Sequence, residues 1–548
     1  MRMSLGKTPK TEDLFRSSRD VCEQWLSEDS IYRILHREGC RLFPDEAFAD
    51  LFAKRGRHSI PPQIVAVVMV LQRIEGLSDR EAVERCRFDL RWKYAAGGLD
   101  FDYSGFVHTV LVGMRARLRN SDRPNRIFEA VLRVAKQAGL VGRKRVLDST
   151  ALYDAVATQD TVTLIRSAIR GVLRIAGGEL LAELRCVLQR DDNYATAGKP
   201  VCDWEDKEAR EALVDALARD GYAVLSTLDG RTLGQDLHQT AQLLATVLGQ
   251  DLEDDQGRFR IARRVARDRV ISTVDPEARH GHKTSARGFD GYKGHIALDP
   301  DSEIITATEV TAANAGDAEP AESLLDDMLD AGATEPSPPV DVADALDAQP
   351  FEPPKREVYG DASYGTADMV ERLESADIEA YVKVQPPSMR DGKFAQDKFE
   401  IDREAGTVRC PAGQVVELRQ QKGGASQATF AAHCAHCSLR DACTSSKHGR
   451  TINVHPKHET LHRARQKQSH PNWKNTYQQT RPKVERKLAH MMRRRHGGRR
   501  ARVRGSDRVK HDFSLLAAAV NLQRLAALGA SFIRGWRTTA APALPQHR

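Results

Sequence analysis

The chain has 548 residues, 41% of them hydrophobic, which excludes a disordered protein and predicts several packed domains. Its net charge of +7 is uneven: residues 481–510 carry thirteen Lys and Arg against two acids, so the rest of the chain is net acidic. That asymmetry points to a polyanion, most simply nucleic acid, as partner. No apolar run approaches the roughly 18 residues of a membrane span, and MRMSLGKTPKTEDLF holds no signal-peptide core, so the reading is cytoplasmic. Nine sparse cysteines, four of them clustered, agree with a reducing compartment.

Residues 1–135 read as helical. IPPQIVAVVMVLQRIEGL opens on prolines and closes at Gly76, and Ser78 with Glu81 forms a capping box for the next helix. Arg115, Arg117 and Arg119 close a later helix, where they suit the dipole or a phosphate. The region reads as a helix-turn-helix-type DNA reader or as a plain dimerisation unit. GRKRVLDST then predicts a short strand at Val146–Leu147 that Asp148 closes, whereas Asp154 falls in an expected following helix. An acid at the end of a buried strand is costly unless it is hydrogen-bonded or holds a metal. Residues 156–275 read as a helical insertion, two helical pairs around the loop 193–204, with no visible chemistry.

Strand signals return in FDGYKGHIALD and SEIITATEVTAA, joined by a turn at Pro300–Asp301–Ser302. A helix over 317–329 and a Pro-rich linker over 334–355 follow. Val358–Tyr359 is a strand ending at Gly360–Asp361, with a helix opening after Gly365, so Asp361 repeats the expected setting of Asp148. IEAYVKVQ is a further strand. Residues 387–450 carry Cys410, Cys434, Cys437 and Cys443, a spacing compatible with tetrahedral zinc, with His433 and His436 as substitutes, or with free thiols. The chain then turns helical, and an amphipathic helix near 505–528 packs back on the sheet before a disordered last dozen residues.

The most charged stretch runs from Tyr477 to Gly505. Tyr477, Arg481 and Glu485 are spaced four apart and Arg493 follows eight after the Glu, one stripe on a continuous helix, with Pro482 a start or kink. A solvated basic helix with an internal ion pair is the plain reading of Glu485. The alternative joins Glu485 with Asp148 and Asp361: three acids far apart in sequence holding two divalent ions roughly 3.5–4 Å apart. Mg²⁺ or Mn²⁺ suits such an oxygen-only site. The metal-free acids are expected to repel one another, and the surrounding cations to hold DNA phosphates.

VLDST, GYKGH, VTAANAGD, GDASYG and the Tyr477–Arg481–Glu485 set occur in an order that resembles bacterial insertion-sequence transposases of the DDE type. The last set looks like a Tyr-Arg-Glu-Lys signature, with Met492 in the Lys position, Arg493 beside it, and Tyr477 one residue further from Arg481 than usual. The resemblance implies a multi-domain α/β chain. A helical N-terminal DNA-binding or dimerisation domain (1–135) would precede a ribonuclease H-like catalytic domain (136–155, 276–386 and 451–535). The helical insertion (156–275) and a cysteine-bearing one (387–450) would interrupt it. It implies catalytic, metal-holding Asp148, Asp361 and Glu485, with Tyr477, Arg481, Lys483, Arg493, Arg494, Arg495, Arg499 and Arg500 on DNA. A structural zinc on Cys410, Cys434, Cys437 and Cys443 stays an expectation beside it. By the same resemblance a nucleoid-associated homodimer would bind the element's terminal inverted repeats, cut, and join the freed 3′-hydroxyls to target DNA. A repurposed DNA-binding protein and a nuclease without strand transfer are the alternatives.

Overall fold

Lys144–Tyr153 forms a single ten-residue strand, β1, in the computed structural model of the chain. Asp148 therefore lies in mid-strand, which corrects the expected short strand ending there. Asp154 is not helical either: it directly follows β1, its amide donating to the Asp290 carbonyl, and the next helix starts at Thr161. The structure describes residues 17–538 except 54, 56–57, 155–156, 285–286, 330–354, 388, 390–391, 422 and 533–534. The expected linker and tail thus fall, but for Lys355, Arg537 and Thr538, outside the described residues.

Five strands join β1 in a mixed sheet: β2 (Arg279–Thr284), β3 (Arg287–Leu298), β4 (Ile305–Ala312), β5 (Arg356–Gly360) and β6 (Ile378–Val382). β3 runs antiparallel to β1, with Asp148 opposite Ile296. On the other side β5 is parallel to β1, Val146 opposite Tyr359, and β6 continues parallel to β5. β2 pairs with the first part of β3 and β4 with the rest. The β3–β4 turn falls where Pro300–Ser302 predicts it, held by Asp299 Oδ1 accepting from the amides of Asp301 and Ser302. The helix expected over 317–329 is two short pieces, Ala321–Leu324 and Asp326–Leu329.

The helix Ser506–Ala527 is buried on almost every side, not amphipathic as the sequence reading had it. A helix apolar all round belongs inside a core. It packs against β4 and against the N-terminal helices Pro62–Glu75 and Arg126–Gln137, and the Asn521 side chain pairs with both backbone groups of Ile305. The N-terminal helices and the sheet consequently share one apolar core. Pro62–Glu75 ends at left-handed Gly76 (φ 68°), and the Ser78–Glu81 capping box forms as predicted. A Cβ on Gly76 would meet the Arg495 carbonyl at 2.5 Å, so this turn is seated directly on the basic stretch. Arg73 adds a bond to the His496 carbonyl and an ion pair to Asp512.

Arg115 pairs with Asp79, and exposed Arg117 lies over the Phe52 ring. The insertion holds the helices Thr161–Ile175, Gly178–Cys186, Lys207–Leu228 and Gln235–Asp251 around a core of its own. A hairpin, Leu252–Asp255 with Arg258–Ile261, follows them, too polar to announce itself in sequence. Two small three-stranded sheets of two- to four-residue strands occupy the cysteine segment, the last strand, Thr451–Val454, lying just past its expected end at 450. Among the described residues no helix is long and apolar enough to cross a membrane.

Candidate active site

Asp361 follows the last residue of β5, and the parallel register of β5 with β1 brings it beside Asp148. Its Oδ1 accepts from the Ser363 amide, which fixes the turn GDASYG. Gly365 is required there, since a Cβ would lie 2.2 Å from the Lys383 carbonyl. The third acid arrives on the helix Pro482–Met491, which follows Pro471–Thr480. Arg481 joins the two with helical backbone (φ −57°, ψ −39°) and still donates to the Tyr477 carbonyl at 2.9 Å. Pro482 at the first helical position thus breaks no needed bond, and Tyr477, Arg481 and Glu485 keep one stripe.

All three carboxylates converge on the Arg481 guanidinium. Nη2 lies 3.0 Å from Asp148 Oδ1 and 3.9 Å from Asp361 Oδ2, and Nη1 lies 3.4 Å from Glu485 Oε1. Arg481 is 7% exposed and Asp148 14%, whereas Asp361 and Glu485 are 42% and 64% exposed, so the site opens to solvent on their side. Burial pushes the Asp148 carboxyl up to about 6 despite the opposing pull of Arg481. The expected mutual repulsion of bare acids is therefore offset by a resident cation, and burial is the larger cause of the shift. Arg481 Nε and Nη1 are buried without hydrogen-bond partners, so the guanidinium is held by charge more than by a complete bond set.

An aromatic ladder sets the helix pair on the sheet. Tyr359 of β5 stacks on Tyr381 of β6 at 4.7 Å, Tyr381 meets Trp473 at 5.9 Å, and Trp473 stacks on Tyr477 at 5.0 Å. Trp473 and Tyr381 were missed in sequence because their spacing carries no motif. Behind the acids, Lys293 of GYKGH pairs with Asp317 of VTAANAGD at 2.9 Å. His295 is fully buried, bonds Thr311 Oγ1, and is driven down to about 4 by burial, so it stays neutral. Tyr364 of GDASYG is buried nearby, and its hydroxyl has no partner.

The cations after Arg481 divide into two sets. Lys483 reaches Asp301 at 3.5 Å, while Arg486 and the buried Lys487 both reach Glu303, so this set docks the helix on the β3–β4 turn. Lys483, expected on DNA, is placed beside Asp301 in this structure. The helix ends at Met491 with Met492 buried, so Arg493 is not on the Tyr477 stripe. Arg493, Arg494, Arg495, Arg499 and Arg500 are exposed, and none is in an ion pair among the described residues. The Arg499 carbonyl accepts from the Tyr153 amide, tying this run to the end of β1.

Cys410, Cys434, Cys437 and Cys443 line one small cavity of about 20 Å³, with His433 beside them. Burial raises the Cys443 thiol, and Cys434 Sγ accepts from the Arg450 amide. Among the described residues, no three His, Cys, Asp or Glu are arranged as they stand to hold a metal ion, at the thiols or at the acids. At the acids, one oxygen of each lies within 4 Å of the Arg481 guanidinium.

Two family models match the chain. A transposase domain (DUF772) covers residues 16–117, and a transposase DDE domain covers 409–526. The second match takes in Arg481 and Glu485 and the whole cysteine cluster, but neither Asp148 nor Asp361. No curated protein and no solved structure matches. With a transposase domain matched at the head of the chain and a transposase DDE domain matched toward its end, the two matches support a DDE-type insertion-sequence transposase.

Proposed function

We propose that the chain binds the terminal inverted repeats of a mobile element, cuts DNA there to free 3′-hydroxyls, and joins them to target DNA. The convergence of Asp148, Asp361 and Glu485 from three distant segments onto one cation carries this reading. The donor set fits divalent metal: carboxylates only, one at the floor and two at an open rim, already gathered around positive charge. Two Mg²⁺ or Mn²⁺ ions bound there would activate the attacking oxygen and stabilise the leaving one. Asp148, Asp361 and Glu485 would hold them. Arg481, displaced from the acids, would turn with Tyr477 to the phosphates of the strand end, and exposed Arg493, Arg494, Arg495, Arg499 and Arg500 would track the backbone beyond it.

The sheet order supports a ribonuclease H-like catalytic domain spanning 136–155, 276–386 and 451–535, with the other segments inserted into it. Residues 1–135 serve end recognition and dimerisation in this reading, because two ends must be cut together. We also assign one structural zinc to the four thiols. Metal analysis of the purified protein is expected to give about one zinc per chain, lost in Cys437→Ser; a zinc-free, fully folded chain would contradict it. The enzymatic reading is tested with labelled element ends, Mg²⁺ and a target plasmid, scoring cleaved and joined products separately. Cleavage without joining would reduce the protein to a nuclease. Binding without either would leave a repurposed DNA-binding protein.

A further inference from the structure

A cleft of about 1500 Å³ lies between the helical insertion and the start of the helix Ser506–Ala527. One wall presents Arg170 and Arg174 from Thr161–Ile175 and Arg185 from Gly178–Cys186; the other presents Arg504 and Arg508. None of these five is in an ion pair among the described residues. The acids in the wall are largely committed elsewhere. Asp192 is bridged by Arg166, Asp275 accepts from the Tyr292 hydroxyl, and Glu277 accepts from the Ser506 amide; among the described residues Asp507 is the acid of this wall without such a partner. Thr161–Ile175 contains Arg166, Arg170 and Arg174 at four-residue spacing and no acid at all. Asp192 answers Arg166, but Arg170 and Arg174 repel as like charges at that spacing and share the cleft with Arg504 and Arg508. The arrangement is unfavourable until an anion enters.

The size and lining narrow the anion. The volume exceeds the roughly 300–1,000 Å³ of small-molecule sites, so an extended polyanion fits better than a metabolite. Tyr194 is the one aromatic in the described lining, and it is buried with its hydroxyl donating to Asp220, which leaves no platform for stacking single-stranded bases. The exposed run Arg493–Arg500 leads from the Glu485 helix to Arg504, and its bridge at Tyr153–Arg500 sits five residues beyond Asp148 on β1. We propose that this cleft grips the phosphate backbone of duplex DNA beyond the cleavage site, making the insertion a sequence-independent DNA clamp. The proposal rests on the DNA-cutting reading above and adds to it a role for a region without catalytic residues.

The test is equilibrium binding of the full-length chain and its R170A/R174A/R185A variant to labelled duplexes, with and without an element end, over a salt series. The variant is expected to bind both duplexes at least about tenfold more weakly at low salt. Its log–log salt slope should be shallower by up to about 2.7, at roughly 0.9 per lost phosphate contact. Parent-like affinity and slope would overturn the clamp, as would a loss confined to one sequence or to single strands. Should the triple variant melt early, Arg174→Ala and Arg185→Ala, both at exposed positions, are each expected to lower the slope by about 0.9. A parent chain that binds no duplex would sink the DNA reading itself, whereas a parent that binds and variants that bind equally would sink only the clamp.

Discussion

Two neighbouring parts of one basic stretch behave oppositely. Between 481 and 487 every cation already answers an acid of the protein: Arg481 the three site carboxylates, Lys483 Asp301, Arg486 and Lys487 Glu303. From 493 to 500 the arginines are exposed and none is in an ion pair among the described residues, though Arg495 Nε donates to His496 Nε2. Both parts are dense in cations, four of the seven residues 481–487 and five of the eight residues 493–500 being Lys or Arg. A high local charge therefore reports two different things, a helix being docked and a surface awaiting a polyanion, and only the partners separate them.

The comparison breaks most decisively at the acids. Asp148→Asn, Asp361→Asn or Glu485→Gln is expected to abolish cleavage and joining by several orders of magnitude while duplex binding is kept or tightened, as measured with labelled ends. Asp154→Ala should remain active. Next comes the docked part: Glu303→Ala leaves buried Lys487 without its partner and should cost about 3–5 kcal/mol in denaturant unfolding. A loss under 1 kcal/mol would show that these cations are not committed to the fold.

A smaller effect follows pH. The Asp148 carboxyl titrates near 6 in the fold, above its ordinary value, so the folded state holds the proton more tightly than the unfolded one. The contribution of this group to metal-free stability should accordingly be full below about pH 4 and be lost as pH rises through 6, about 3 kcal/mol in all. Asp148→Asn should remove that part of the slope in metal-free melts. The smallest effect on the fold belongs to the free part: R493A/R494A/R495A should change stability by no more than about 0.5 kcal/mol, yet make the salt dependence of DNA binding shallower by up to about 2.7 log units per decade of salt.

Much of this site was legible in the sequence. Asp148 and Asp361 follow apolar strand residues, and their adjacency needed only that the two strands be neighbours, as they are. The four-residue spacing of Tyr477, Arg481 and Glu485 survived Pro482 because proline is tolerated at a helix start. What was not legible depends on distant partners. The polar Asp-Ser-Thr run reads as a strand end, since nothing local reveals that Arg481 will cover Asp148 in mid-strand. Lys483, Arg486 and Lys487 read as free because Asp301 and Glu303 lie about 180 residues away. The strands of the cysteine segment are too short to show alternation, and Arg493 left the stripe when the helix stopped at Met491.

In the proposed reaction Arg481 holds the place that divalent cations would take among the three acids. Mn²⁺ titration of the DNA-free protein, followed by electron paramagnetic resonance, measures it without recourse to activity. Arg481 competes for the same oxygens, so Arg481→Ala should bind Mn²⁺ several-fold more tightly than the parent, and Asp148→Asn should bind it markedly less. Equal or weaker binding by Arg481→Ala, or Mn²⁺ binding indifferent to Asp148→Asn, would contradict the account.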